Sequence, residues 1–119
     1  MTAISTALIT LVALLHLYFM LLEMYFWDKP LGLRTFGIKP DFAKASRSLA
    51  ANQGLYNGFL AAGLIWGISL GGDGQSIKLF FLSCVIVAGI FGALTANKKI
   101  FFIQAMPGAI ALIVTWMVV

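Results

Sequence analysis

Two ionisable side chains, His16 and Glu23, stand inside the first long apolar stretch of the chain. Holding an ionisable group among apolar neighbours is costly unless it faces a polar interior or a partner. On a helix at 100° per residue, His16, Met20, Glu23 and Trp27 fall on one stripe about 60° wide. His16 and Glu23 are separated by about 10 Å along such a helix. They cannot touch directly, but a ligand or a file of waters can bridge them. A carboxyl so placed has three chemical uses: general acid, proton-coupling group or cation ligand. His16 and Glu23 are therefore the candidate catalytic pair.

A second polar group lies in RSLAANQGLYNGFLAAGL, Arg47 to Leu64. Asn52, Gln53, Tyr56 and Asn57 cover an arc of about 140° on a helix. Gly54 and Gly58 adjoin that arc at G-x-x-x-G spacing, which lets two helix backbones approach closely, and Gly63 and Gly67 repeat it. Gln104 adds an amide in the last apolar stretch. The expected ligand-binding set is Asn52, Gln53, Tyr56, Asn57 and Gln104, all in one half of the membrane. The competing reading makes the amides interhelical hydrogen-bonding glue and leaves Glu23 to pair with a loop Lys or Arg.

The elements that must carry these residues are transmembrane helices. Hydrophobic residues make up 61% of the 119 and charged residues 10%, against about 25% charged in soluble proteins. A spanning helix needs about 20 predominantly apolar residues. Four stretches qualify, at about 4–27, 42–70, 77–96 and 100–119, which predicts an all-α, four-helix integral membrane bundle in a single domain. Tyr25, Phe26 and Trp27 form an aromatic belt at the end of the first. Pro30 stops that helix, a loop follows, and Asp41 caps the second helix. Gly71 to Gly74, GGDG, reads as a tight turn with no helical character. Pro107-Gly108 predicts a kink in the fourth helix. The start of the chain lacks a basic segment, and its apolar run is longer than the core of a signal peptide, so it reads as a retained helix.

Basic residues set the orientation. The first and third connections hold Lys29, Arg34, Lys39, Lys44, Arg47, Lys98 and Lys99, and the second holds Lys78. By the positive-inside rule the former face the cytoplasm and both termini face out. The net charge of +4 is thus topogenic and does not point to nucleic acid. The basic segment WDKPLGLRTFGIKPDFAKASR also interleaves aromatic residues with charge, which suits anionic lipid headgroups or a lid over an anionic ligand. His16, Met20, Glu23 and Cys84 match no metal-binding spacing, so no metal or cofactor is assigned, and Cys84 reads as an inert core thiol.

The early His16, Glu23-Met24-Tyr25-x-Trp27, NQGLYNGFLAAGL and Gln104 together resemble a family of small bacterial membrane proteins known as domain of unknown function 1304. The resemblance spans essentially the whole chain. It implies four membrane helices in a bacterial inner (plasma) membrane and carries no activity. Arg47, Asn52 and Tyr56 are also distantly similar to the membrane-associated eicosanoid and glutathione metabolism proteins. That likeness implies trimers with a cytoplasm-side site between subunits. It departs at Leu55, where that family has Glu, and at Lys98-Lys99-Ile100-Phe101, where that family is rich in Arg and Tyr.

Three functions compete. The first is binding of a small amphipathic or lipophilic ligand in a polar pocket of the cytoplasmic half, as an enzyme if His16 and Glu23 act on it. The second is proton-coupled transport through Glu23. One membrane Glu in the first of four helices looks like the small multidrug exporters in this respect, although the lopsided loop charge fits a single orientation. The third is a structural or accessory subunit working through its glycine faces. The bilayer is the expected partner, and a homo-oligomer, dimer or trimer, the expected assembly.

Overall fold

The computed structural model describes residues 2–118, and all regular structure among them is helical. Helix α1 spans Thr2–Tyr25 and α2 spans Pro30–Phe36. Helices α3 and α4 follow at Pro40–Ala45 and Arg47–Ser69. A 3-10 turn, Gly71–Gly74, leads into α5 at Gln75–Thr95. A π-helical turn, Phe101–Ala105, leads into α6 at Met106–Met117.

Several of these elements differ from expectation. The stretch read as a loop after Trp27 holds α2 and the first residues of α3. Pro30 and Pro40 do not only stop helices; each opens one. Proline suits the first helical turn because its fixed φ is already helical and its missing N–H would be unpaired there. Lys39 rather than Asp41 is the N-cap of α3, and Asp41 sits in the first turn, where a negative charge favours the helix dipole. The single helix expected over 42–70 is interrupted at Ser46. The GGDG segment, expected as a tight turn without helical character, is a 3-10 helical turn. Where a kink was expected at Pro107, the structure has a π turn just upstream, closed by the Met106 N–H on the Phe101 carbonyl, and Pro107 falls in the first turn of α6. The end of the fourth expected span, Val119, lies outside the described residues.

Two helical segments are long and apolar enough to cross a membrane, Thr2–Tyr25 and Gly71–Thr95. Helix α4 is as long, but Asn52, Gln53, Asn57 and its glycines dilute its apolar character. The last apolar helix, Phe101–Met117, is shorter.

The chain forms two compact units, Leu15–Phe59 on the one hand and residues 2–14 with 60–118 on the other. In the latter the core gathers Ile9, Val12 and Ala13 of α1, Leu64 of α4, Leu82 and Val85 of α5, and Ala111 of α6. Small residues let these helices meet. A Cβ on Gly89 would stand 2.5 Å from the Ala105 nitrogen, and one on Gly74 would stand 2.1 Å from the Gly67 carbonyl oxygen. Lys78, expected at the membrane edge, is only 8% exposed. Its stem runs over Gly67, and its Nζ donates to the Gly71 carbonyl at 3.0 Å. Cys84 is partly exposed rather than a core thiol.

The buried hydroxyls of Ser5 and Thr115 share a hydrogen bond of 2.7 Å between α1 and α6, and Gln75 Nε2 donates to the Thr115 carbonyl at 2.8 Å. Ser5→Ala and Thr115→Val should each destabilise the protein by about 1 kcal/mol. The double variant should cost little more than either single, because the bond can be lost only once. A double-mutant cycle of unfolding in detergent micelles reads this directly, and additive losses would show that the two hydroxyls are not coupled.

Candidate functional site

The polar centre of the unit Leu15–Phe59 is built on two glycines. The second half of α1 and the first half of α4 run antiparallel, with Gly54 against Met20, Glu23 and Met24, and Gly58 against Met20. A Cβ on Gly54 would stand 2.7 Å from Met24 Cγ, 3.0 Å from the Met20 carbonyl oxygen and 3.1 Å from Glu23 Cβ. The G-x-x-x-G face is therefore occupied by α1 of the same chain. Its absence of side chains seats the stem of Glu23 directly on α4.

Asn57 follows Gly54 by about 60° around α4 on the side of the partner helix. Its Nδ2 donates to Glu23 Oε1. Asn57 is 6% exposed and Glu23 is half-buried. Among the described residues Glu23 forms no ion pair; the acid is held by a neutral amide. The basic partner that sequence reasoning allowed for is elsewhere. Arg47, with its side chain 67% exposed, lies 3.8 Å from Asp28.

The other candidate residues are distributed differently. His16 is fully buried, with its ring edge-on to Phe19 at 5.6 Å between centroids. Asn52, Gln53 and Tyr56 are exposed on the outer arc of α4, and the Tyr56 ring leans on Phe59 at 6.2 Å. Gln104 belongs to the other unit, in the π turn. The structure thus joins Glu23 to Asn57, leaves Asn52, Gln53 and Tyr56 on the surface, and buries His16. Asn57 differs from its three neighbours because it lies at the inner edge of the polar arc, next to the glycine face.

Beyond the Glu23–Asn57 pair the unit ends in a cap. Gly32 of α2 packs on the end of α1, where an added Cβ would meet the Phe26 carbonyl oxygen at 2.0 Å and that of Trp27 at 2.7 Å. The Trp27 ring meets Phe36 at 4.9 Å, and its Nε1 donates to Ser46 Oγ at 3.0 Å. Ser46 Oγ in turn donates to the Phe42 carbonyl at 2.7 Å. Gly37 closes α2 with a left-handed φ of 64°, which a residue without Cβ adopts at no steric cost. Sequence reasoning placed Trp27 in the interfacial belt and missed Ser46; neither residue's spacing indicates this bond. Tyr25 and Phe26 are exposed.

The seating of Gly54 on Met20, Glu23 and Met24 also sets the helix register. The middle of that contact lies about 4.5 Å from the end of α1, whereas Gly54 lies about 10 Å from the start of α4. The first turns of α4 therefore project about 6 Å past Tyr25.

Among the described residues the molecule is thus all-α, with two helical segments long and apolar enough to cross a membrane and an acid–amide pair between α1 and α4. Its sequence matches, over residues 10–116, a family described as protein of unknown function DUF1304. The chain belongs to this family. It is 35% identical over 115 residues to the uncharacterized protein YpaA of Lactococcus lactis subsp. lactis (strain IL1403), covering 95% of this chain and 97% of that relative. No solved structure matches it.

Proposed function

We propose that this chain is a four-span protein of a bacterial plasma membrane that binds the polar end of a small amphipathic or lipophilic ligand at Glu23 and Asn57. In this reading α1, α4, α5 and the helix Phe101–Met117 are the spans. Both termini face out, and the cap with Lys29, Arg34, Lys39, Lys44 and Arg47 faces the cytoplasm. The basic residues support that orientation, because positive charge is retained on the cytoplasmic side.

The observation that carries the reading is the Glu23–Asn57 bond itself. A carboxylate bonded to a cation is already neutralised, but one bonded only to an amide keeps acceptor capacity for an incoming hydrogen-bond donor or cation. Its partial exposure leaves it open to such a group. Its position near the end of α1 offers a ligand both the headgroup zone and the acyl region.

Native mass spectrometry of the protein released from its own membranes, beside Glu23→Gln, tests this. A defined bound mass on the wild type, absent from the variant, is expected. A wild type with no bound mass, or the same mass on both, would sink the assignment. The same spectra give the subunit count, for which a dimer or trimer is expected. Reporter fusions to the two termini and to the segment at Gly37 test the orientation separately.

A further inference from the structure

We infer that the cap formed by α2, α3 and the first turns of α4 is a binding surface for the headgroups of anionic phospholipids. The inference rests on the reading of the chain as a membrane protein, but not on the ligand at Glu23. Lys29, Arg34, Lys39 and Lys44 are all exposed along this segment, as is Arg47, which alone among them meets an acid, Asp28. Asp41 is the other acid of the segment, so an excess of positive charge remains for an anionic partner.

Depth and shape agree with charge. The register set by Gly54 against Met20, Glu23 and Met24 puts the start of α4 about 6 Å beyond the end of α1, at the level of headgroups rather than acyl chains. Exposed Leu31, Phe42 and Leu49 share this segment with the basic residues. Apolar side chains beside lysines are what an interfacial segment needs to dip into the headgroup boundary while its charges meet phosphate. Asn52, Gln53 and Tyr56 lie just below on α4, exposed. No hydrogen bond among the described residues engages their side chains. At this depth they are placed to donate to phosphate and ester oxygens.

The surface is also preformed. Helices as short as α2 and α3 are not stable alone. Here Gly32 on the α1 backbone, the Trp27–Phe36 contact and the Trp27–Ser46 bond hold them in place. A fixed array loses less freedom on binding than a mobile basic loop would.

The test uses the full chain in a neutral detergent, titrated with phosphatidylglycerol or phosphatidylcholine and read by native mass spectrometry. Each basic residue near an anionic surface is worth roughly fivefold in partitioning. The wild type should retain phosphatidylglycerol preferentially. The combined Arg34→Gln, Lys39→Gln and Lys44→Gln variant should lose roughly a hundredfold of that preference, whereas Lys39→Arg with Lys44→Arg should keep it. Added salt should weaken the preference, as screening requires, and inorganic phosphate at equal ionic strength should do no more than the salt.

Equal retention of the two lipids by the wild type would overturn the inference. So would an unchanged preference in a folded glutamine variant, or displacement by inorganic phosphate beyond the effect of salt, which would mark a site for the free anion. If the glutamine variant loses its helical circular dichroism, the salt titration of the wild type decides, and a salt-insensitive preference overturns the proposal. None of these outcomes bears on the membrane reading, which fails if the chain stays in the aqueous fraction, or on the Glu23 site, which is read by its own bound mass.

Discussion

Asn57→Leu should destabilise the folded protein by about 2–3 kcal/mol, whereas Glu23→Gln should change stability by less than about 1 kcal/mol. The asymmetry follows from which group is left behind. Removing Asn57 strands a carboxyl between α1 and α4 with no donor from the helix it faces. Replacing Glu23 with Gln keeps a carbonyl oxygen where Asn57 Nδ2 donates, so a neutral hydrogen bond survives. Glu23→Leu combined with Asn57→Leu should recover most of the loss, since an apolar pair of suitable size leaves no polar group unmatched. Denaturant titration in mixed micelles, followed by circular dichroism, reads all three variants. A double variant as unstable as Asn57→Leu alone would show that packing at position 57, not the acid–amide bond, dominates. The same series makes the ligand test clean, because Glu23→Gln alters the site's chemistry in a protein that still folds.

Gly32→Ala should be the most damaging single-methyl addition in the cap, at about 3 kcal/mol. The added Cβ would lie 2.0 Å from the Phe26 carbonyl oxygen and 2.7 Å from that of Trp27. Both obstacles are backbone, so no side chain can rotate away. The Phe26 carbonyl already accepts the Lys29 N–H at 3.1 Å, which ties it into the turn between α1 and α2. Relief therefore requires α2 to lift, and that would open the Trp27–Phe36 contact and the bond from Trp27 to Ser46. A lower melting temperature together with a shift in tryptophan emission is expected. Gly37→Asn provides the control. A Cβ there meets nothing within 4 Å, and asparagine tolerates the left-handed φ of 64°, so the cost should be small. If Gly32→Ala and Gly37→Asn cost the same, the close approach of Gly32 to α1 is not what holds the cap.

The sequence by itself determined the helical class, the approximate positions of the long helices and the concentration of positive charge beyond the first. These are local properties. Hydropathy over a window of one helix, the punctuation by Pro and Gly, and the count of Lys and Arg need no knowledge of neighbours. The wheel at 100° per residue also placed Asn57 at the edge of the polar arc and the glycines beside it. Proline, however, has two local meanings, and only context separates a helix stop from a first helical turn. That is why α2 and the start of α3 were hidden in what reads as a loop.

Tertiary structure decided which polar residues meet. Equal depth along two helices does not specify which faces are in contact, and a wheel cannot say which arc turns inward. The choice was made by Gly54 and Gly58, whose bare backbone admits Met20, Met24 and the stem of Glu23. Once that face is inward, Asn57 reaches the acid, and Asn52, Gln53 and Tyr56 turn outward with the rest of the arc. Backbone proximity is available only where no side chain intervenes, so two absent side chains, rather than the polar ones, positioned the site.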